Sequence, residues 1–547
     1  MSEMENEIFK VWKELNPGIA FLQGLDDYAG RLFVPTQENE NRILTRIQEL
    51  KSKTDDRVEK KFLDSLEAIL IYREAPYDLS EIIWTLFGHL VKEGVNTTHI
   101  SSLIDYSYES LKNSMDTFNL KELAIVLKII LSNKCNALLG ILKIITDETD
   151  DEDLKVKINK VTDILKEYQN NVAVEGLKKG DFKEVFPILK RYKSIDLGRK
   201  ENYHKILRAQ YDFYETPKEI EEKALSWLES ELPSLNETTE KLAKIYGLST
   251  NIEAIDEEIS KQSTVEKLKL LDYIKNFRNN VQKLFESRLV RITPNYKTDV
   301  IETPDYLLNL IPTAAMTTFN GLTDNPFNII FVTTDDRYSP PTSIPDLFQM
   351  VVHEEYGHCI NFSNSALSFA AQPQLVEKLE STLHYPISEA ISFHRELESL
   401  ELLEELVAKP KKELFPEEVQ LLAAFPPHKD IETLFLESKF VVLKWRIIRF
   451  LRAIGDVRIN LNKQSIPEFV EWGAKKTGFS EKTIFDQIFI FQDQPGYAPC
   501  YSIAGMALKE IQDEARKKGK NILEFNTVAS SLGFPARTVF EERLRNF

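Results

Sequence analysis

Cysteine is scarce. Three residues in 547, Cys135, Cys359 and Cys500, are too few and too scattered for a disulfide framework, and a reducing compartment is expected. Long apolar runs are missing as well. No uninterrupted stretch reaches the ~18 residues that a membrane span needs. The opening segment MSEMENEIFKVWKELNPG has neither the basic nor the apolar region of a signal peptide. Positive charge is in deficit, 69 Lys and Arg against 86 Asp and Glu, for a net −17. That balance argues against a nucleic-acid surface, which needs basic patches to displace phosphate counterions, and gives no reason for an anionic membrane partner. Repeats and low-complexity tracts are absent. These absences together predict a cytoplasmic protein, monomeric or weakly homo-oligomeric, that binds neither nucleic acid nor membrane.

A composition of 42% hydrophobic and 28% charged residues suits a globular chain. Its length exceeds one ordinary core, so two or three subdomains or one large helical fold are expected. Residues 1–290 read as helix after helix. Leu120–Leu131 places Leu120, Leu123, Ala124, Leu127, Ile130 and Leu131 on one stripe at helical spacing. The acidic run Asp147–Asp153 suits the positive end of a following helix. Breaks are expected at Asn16-Pro17-Gly18, Thr216-Pro217 and Pro233-Ser234. From residue 291 the pattern changes. LVRITPNY (289–296) and NIIFVTT (328–334) read as strands, and Ser343, Pro345 and Asp346 as the start of a helix. Another helix is expected from Pro386, and helices again from Pro416 to the end. The fold class expected is mainly α, with a small sheet beside the active-site helix and a deep cleft. The 1–290 half would wall that cleft against a catalytic 291–547 half.

Histidine is rare too, yet four of the eight lie between positions 353 and 394, where even scattering would put fewer than one. At their centre is His353-Glu354-Glu355-Tyr356-Gly357-His358. In His-Glu-x-x-His, two imidazoles four residues apart share a helix face and meet one metal, and the adjacent Glu serves as general base. Here the histidines are five apart, about 140° around a regular helix instead of about 40°. An extra residue taken up as a π-type bulge restores convergence, and Gly357 would tolerate the unusual backbone. Zinc sites of the two-His-plus-Glu kind need a carboxylate from another helix. Glu389 is the candidate, and Glu396, seven positions on and on the same face, would orient a ligating histidine. Two alternatives stay open: the histidines are ordinary half-buried residues, or Glu354 pairs with His358 at four-residue spacing. His384 and His394 are read as structural or surface residues that could touch substrate. Arg449 and Arg452, three apart on a helix, are candidates for binding a substrate carboxylate. The strand 328–334 could lie beside an extended peptide.

Four stretches resemble a known family. TPDYLLNLIPTAAMTTFNG with NPFNIIFVTTDD, VVHEEYGH, SEAISFHRE, and QPGYAPCYSIAG followed by FNTVASSLGFPARTVFEERL are similar to motifs of the domain of unknown function eight-eight-five family. These are large, mostly helical proteins related in plan to the gluzincin zinc metallopeptidases. The resemblance covers roughly residues 290–547, and the first half more weakly. VVHEEYGH lacks the proline of the family's His-Glu-x-x-Pro-Gly-His and is one residue shorter. Its spacing looks like the His-Glu-x-x-Gly-His motif of dipeptidyl peptidase three. Ala390, Ile391 and His394 stand where the family has Gly, Trp and Tyr. Asp456 to Asn460 replaces Asp-x-Gly-x-His, and the usual Arg before Pro-Gly is missing around Ile490–Gln492. The resemblance implies one Zn2+ per chain held by His353, His358 and Glu389, with Glu354 as the catalytic base. It also implies a phenol at the carbonyl oxygen, Tyr501 or alternatively Tyr497. Hydrolysis of short peptides, as an oligopeptidase or carboxypeptidase, is the function expected. A metal-free degenerate binding protein and a zinc hydrolase of non-peptide amides are the rivals.

Overall fold

The structure is a computed structural model and describes residues 2–178, 180–192, 196–308, 311, 313–335, 343–425 and 430–547. Helices dominate throughout, and the described strands form one small sheet, so the fold is mainly α. Helix α1 (Ile125–Glu148) follows a short 3-10 turn at Leu120–Glu122. The expected continuous stripe from Leu120 is therefore broken at Leu123–Ala124, where Ala124 is extended with ψ 141°. By length and composition α1 is apolar enough to cross a membrane. Here it packs in a core with Leu79, Leu103, Leu154 and Leu165. Helix α2 (Glu152–Asn171) begins in the acidic run, with Asp151 accepting a hydrogen bond from the Leu154 amide at 3.0 Å.

Helix α3 (Pro217–Tyr246) starts at the expected break, where Thr216 and Glu219 cap each other reciprocally. The break expected at Pro233 does not occur: α3 runs through it. An internal proline costs ~3 kcal/mol in a helix, and burial of Leu228, Leu235 and Leu242 on either side offsets that cost. These leucines join Phe440, Ile447 and Ile454 in the largest apolar core, so packing runs across residue 290.

After helix α4 (Leu270–Arg288), residues 289–296 are irregular, against the strand expected there. Pro294 has no amide to donate, and side chains take the place of a neighbouring strand. The Arg291 amide donates to Thr527 Oγ1 (3.1 Å), the Thr293 amide to Asn364 Oδ1 (3.0 Å), and Asn364 Nδ2 to the Arg291 carbonyl (2.9 Å). The sheet comprises β1 (Thr298–Glu302), β2 (Ala314–Phe319) and β3 (Phe327–Val332), in the order β1-β3-β2. β3 pairs in parallel with β1 and antiparallel with β2. As the central strand it has no free edge for an extended peptide, which corrects the expectation for 328–334. Among the described residues the sheet's outer strands are β1 and β2.

Helix α5 (Ile344–Val351) begins as expected, with Ser343 Oγ accepting from the Asp346 amide at 3.2 Å and Pro345 in the first turn. It passes directly into a π-helix at Val352–Cys359, then returns to α-helix at Ile360–Ala366. Helix α6 (His384–Ala408) lies across the π-helix, with α7 (Ile431–Asn460) and α8 (Pro499–Lys517) packed against α6.

Candidate metal centre

The π-helix is the local device that makes the site. Over Val352–Cys359 the wider turn brings His353 and His358, five residues apart, onto one face, with ring centroids 4.9 Å apart. The opposing wall is α6, where Glu389, Ser392 and Glu396 recur at three- and four-residue spacing and so share a face. Gly357 does not take a positive φ. Its role is close approach: a Cβ there would stand 2.2 Å from Ser392 Oγ and 2.5 Å from Ser392 Cα. The glycine lets the two helices meet, which is not the backbone freedom the sequence suggested.

Glu389 Oε2 lies 3.7 Å from His353 Nε2 and 3.6 Å from His358 Nε2. All three residues are buried. Two ligand atoms at ~2.0–2.2 Å from a four-coordinate ion stand ~3.3–3.6 Å apart, so the spacing fits a cation between them. Glu389 Oε2 is buried without a hydrogen-bond partner. An orphaned carboxylate oxygen facing two imidazole nitrogens is costly, and a cation removes the cost. The buried His353–His358–Glu389 group can bind a metal ion, and it is the one such cluster among the described residues.

The far side of each ligand is fixed. His353 Nδ1 faces Glu396 Oε1 at 2.8 Å, which leaves the lone pair at Nε2. Gln349 Nε2 donates to the same oxygen at 2.6 Å, and the Arg449 guanidinium donates to Glu396 Oε2. Burial alone would raise the Glu396 carboxyl, but Arg449 and His353 hold it at about 2. His358 Nδ1 lies 3.0 Å from Ser392 Oγ. Burial pushes His358 down to about 3 and lowers His353 too, the direction that favours the neutral imidazoles ligation requires. Glu389 Oε1 accepts from the Tyr497 hydroxyl at 2.5 Å, and that hydroxyl lies 3.0 Å from the Tyr501 hydroxyl.

The two adjacent glutamates separate cleanly. Glu355 is clamped by Arg278 through two 2.6 Å hydrogen bonds, with the Tyr296 hydroxyl at 3.0 Å. Glu354 has no such clamp and is half-buried. Burial, reinforced by the Glu389 charge, pushes its carboxyl up to about 8.

The remaining sequence candidates fall into two groups. Tyr501, Tyr497, Arg449 and Arg452 gather at the metal centre: the Tyr501 ring stacks on His353 at 6.3 Å, with Arg449 and Arg452 5.5 and 5.3 Å from it. The Arg449 fork is taken up by Glu396, with Nη2 3.3 Å from His353 Nδ1, and so faces inward. His384 packs on Tyr385, and His394 lies 3.8 Å from Glu398; neither joins the ligand set. Asp456 and Asn460 hold the loop ahead of α8. Asp456 Oδ2 accepts from the Tyr203 hydroxyl (2.7 Å) and the Gly496 amide (2.8 Å), with Asn460 Nδ2 at Oδ1 (2.9 Å). Gly496, at φ +88°, makes the turn that presents Tyr497 and Tyr501.

Sequence reasoning missed Gln349, Ser392 and Tyr385. The signal was present for two of them. Gln349 lies four residues before His353, and Ser392 three after Glu389, so each shares a helix face with a ligand. Tyr385, edge-on to Tyr497 at 4.6 Å, had no such signal.

No protein-family model matches the chain, and no curated protein does. Solved structures share its fold along their whole lengths, two of them as follows. One, named a "putative lipoprotein", is from Colwellia psychrerythraea, with TM-score 0.65 and 13% identity over 100% of this chain and 99% of that one. The other, a "putative lipoprotein of unknown function", is from Shewanella oneidensis, with TM-score 0.65 and 14% identity over 99% and 98%. At such identity the likeness concerns fold alone.

Proposed function

We propose that this chain is a zinc-dependent peptidase of gluzincin-like plan acting on short peptides. The observation that carries the reading is the unpartnered Glu389 Oε2, 3.6–3.7 Å from two imidazole nitrogens whose other sides are anchored. Two neutral imidazoles and one carboxylate are the donor set of catalytic zinc sites that keep an open position. Zinc held there would supply a Lewis acid for a peptide carbonyl and for water.

The protein's own groups then divide the work. Glu354, without a clamp and still reaching solvent, takes the proton of the attacking water and returns it to the leaving amine. The Tyr501 hydroxyl donates to the carbonyl oxygen as negative charge develops. Tyr497, already bonded to Glu389, holds that carboxylate and the Tyr501 hydroxyl in register. Glu396 fixes the His353 ring, and Arg449 keeps Glu396 ionised. An extended peptide could pair with the Ala314–Thr317 part of the outer strand β2, which lies beside the π-helix.

The test is metal content with product analysis. Elemental analysis of the chain purified at physiological metal supply is expected to find about one zinc per chain. A mixed peptide pool is expected to show cleavage that a chelator stops. A chain that takes up no divalent ion, or a loaded chain that cuts only non-peptide amides, sinks the reading.

A further inference from the structure

Among the described residues six arginines are buried: Arg199, Arg395, Arg446, Arg449, Arg452 and Arg537. Five are paired with carboxylates: Arg199 with Glu74, Arg395 with Glu398, Arg446 with Glu231, Arg449 with Glu396, and Arg537 with Glu215 and Glu541. Arg452 is the exception. It is 9% exposed and, among the described residues, has no carboxylate within ion-pair distance. Its Nη2 donates to the neutral Gln487 amide oxygen, and its Nε has no partner. Aromatic rings take up the rest, Phe491 at 4.5 Å and Tyr501 at 5.3 Å from the guanidinium carbon. Removing a guanidinium from water without a counter-ion costs several kcal/mol, and ring faces return a fraction of that.

We propose that Arg452 receives the C-terminal carboxylate of the substrate, so that the enzyme trims short fragments from the carboxyl end of peptides. This rests on the peptidase reading above. The planar guanidinium matches a carboxylate in shape and charge. Arg452 sits one turn beyond Arg449 on α7, which is itself committed to Glu396, so among the described residues the positive charge beside the candidate metal site that lacks a carboxylate partner is that of Arg452. The spacing also fits. The guanidinium carbon is 5.3 Å from the Tyr501 ring, and that ring is 6.3 Å from the His353 ring. An extended chain covers ~3.3–3.6 Å per residue, so a carboxylate anchored at Arg452 leaves the scissile bond one to three residues upstream. A longer tail beyond the scissile bond would have to displace the Arg452 pocket of rings.

The test compares a free-acid peptide with its C-terminal amide, and an amidated peptide bearing an internal Glu, on the full zinc-loaded chain. Amidation is expected to lower kcat/KM about 10- to 100-fold, the worth of a charge-assisted hydrogen-bonded pair. Arg452→Gln is expected to lower kcat/KM for the free acid by about that factor more than for the amide, bringing the acid-to-amide ratio close to one, with Arg452→Lys between. Calorimetric Kd values on metal-loaded Glu354→Gln protein are expected to show the same ratio without turnover. Cleavage of acid and amide at equal rates overturns the proposal while the peptidase reading stands. So does an Arg452→Gln loss equal for both peptides, or rescue of the amide by the internal Glu. If nothing is cleaved yet the free acid binds over the amide through Arg452, the carboxylate site stands and the peptidase reading falls.

Discussion

Glu389 and Glu398 lie on the same helix, both buried, both beside a histidine and both within reach of an arginine's field. Glu398 is complete. Its Oε2 accepts from Arg395 at 2.5 Å, and its Oε1 accepts from Gln512 and Asn526, each at 2.7 Å. Glu389 has one partner, Tyr497, and its second oxygen faces two imidazole nitrogens without a hydrogen bond to either. The same residue types thus make a closed structural network in one place and an open coordination site in the other. Residue identity does not separate them; saturation of the lone pairs does.

Glu354→Gln should have the largest effect on the open site. Turnover is expected to fall at least ~10²–10⁴-fold, the usual contribution of a positioned acid–base group, while elemental analysis finds the metal retained. Exchanging roles between the two glutamates tests the comparison directly. Glu398→Ala leaves Arg395 buried and unpaired, and should lower unfolding free energy by ~3–5 kcal/mol with metal content unchanged. Glu389→Ala should empty the site and leave the stability of the metal-free chain nearly untouched. Chemical denaturation followed by metal analysis reads both; the opposite pattern dissolves the distinction. The Glu398 effect has a pH signature. Burial would raise that carboxyl, but Arg395 holds it below its ordinary value. Its stabilisation is therefore present above the unfolded carboxylate's ~4.3 and lost as pH falls through the lower folded value. The gap between wild type and Glu398→Gln should accordingly close in acid.

Smaller effects sharpen the picture. Glu396→Gln frees the His353 ring and should weaken zinc binding ~10–100-fold in a competition titration. Ser392→Ala removes a neutral partner of His358 and should cost ~10-fold or less. A Ser392 effect exceeding that of Glu396 would place the critical anchor on the wrong histidine.

Much of the site was legible because it is built from helical repeats. Convergence of histidines five residues apart on one ion required a bulge, and the π-helix supplies it. Glu389 and Glu396 could be placed on one face by counting turns. The cap at Ser343 was legible for the same reason, being local hydrogen-bond chemistry, whereas Asp151 and Thr216 showed in the sequence only as part of an acidic run and as a break. Pro233 misled because burial around it outweighs its local cost. The stretch 289–296 misled because Asn364 and Thr527 satisfy backbone groups that a strand would have paired. Gly357 was legible as special, but its reason, the approach of Ser392, lies on another helix.

By itself the sequence determined the helical class, the helix start at Ser343, and which polar side chains share a face, because those follow from backbone geometry over a few residues. Only the tertiary structure decided which of two adjacent glutamates is clamped, which of two arginines is spent, and which buried carboxylate keeps a free lone pair. Those outcomes depend on partners tens to hundreds of residues away, such as Arg278 for Glu355 and Gln512 for Glu398. The charge of a buried group is settled by the groups that packing brings to it, and chain order carries no record of that.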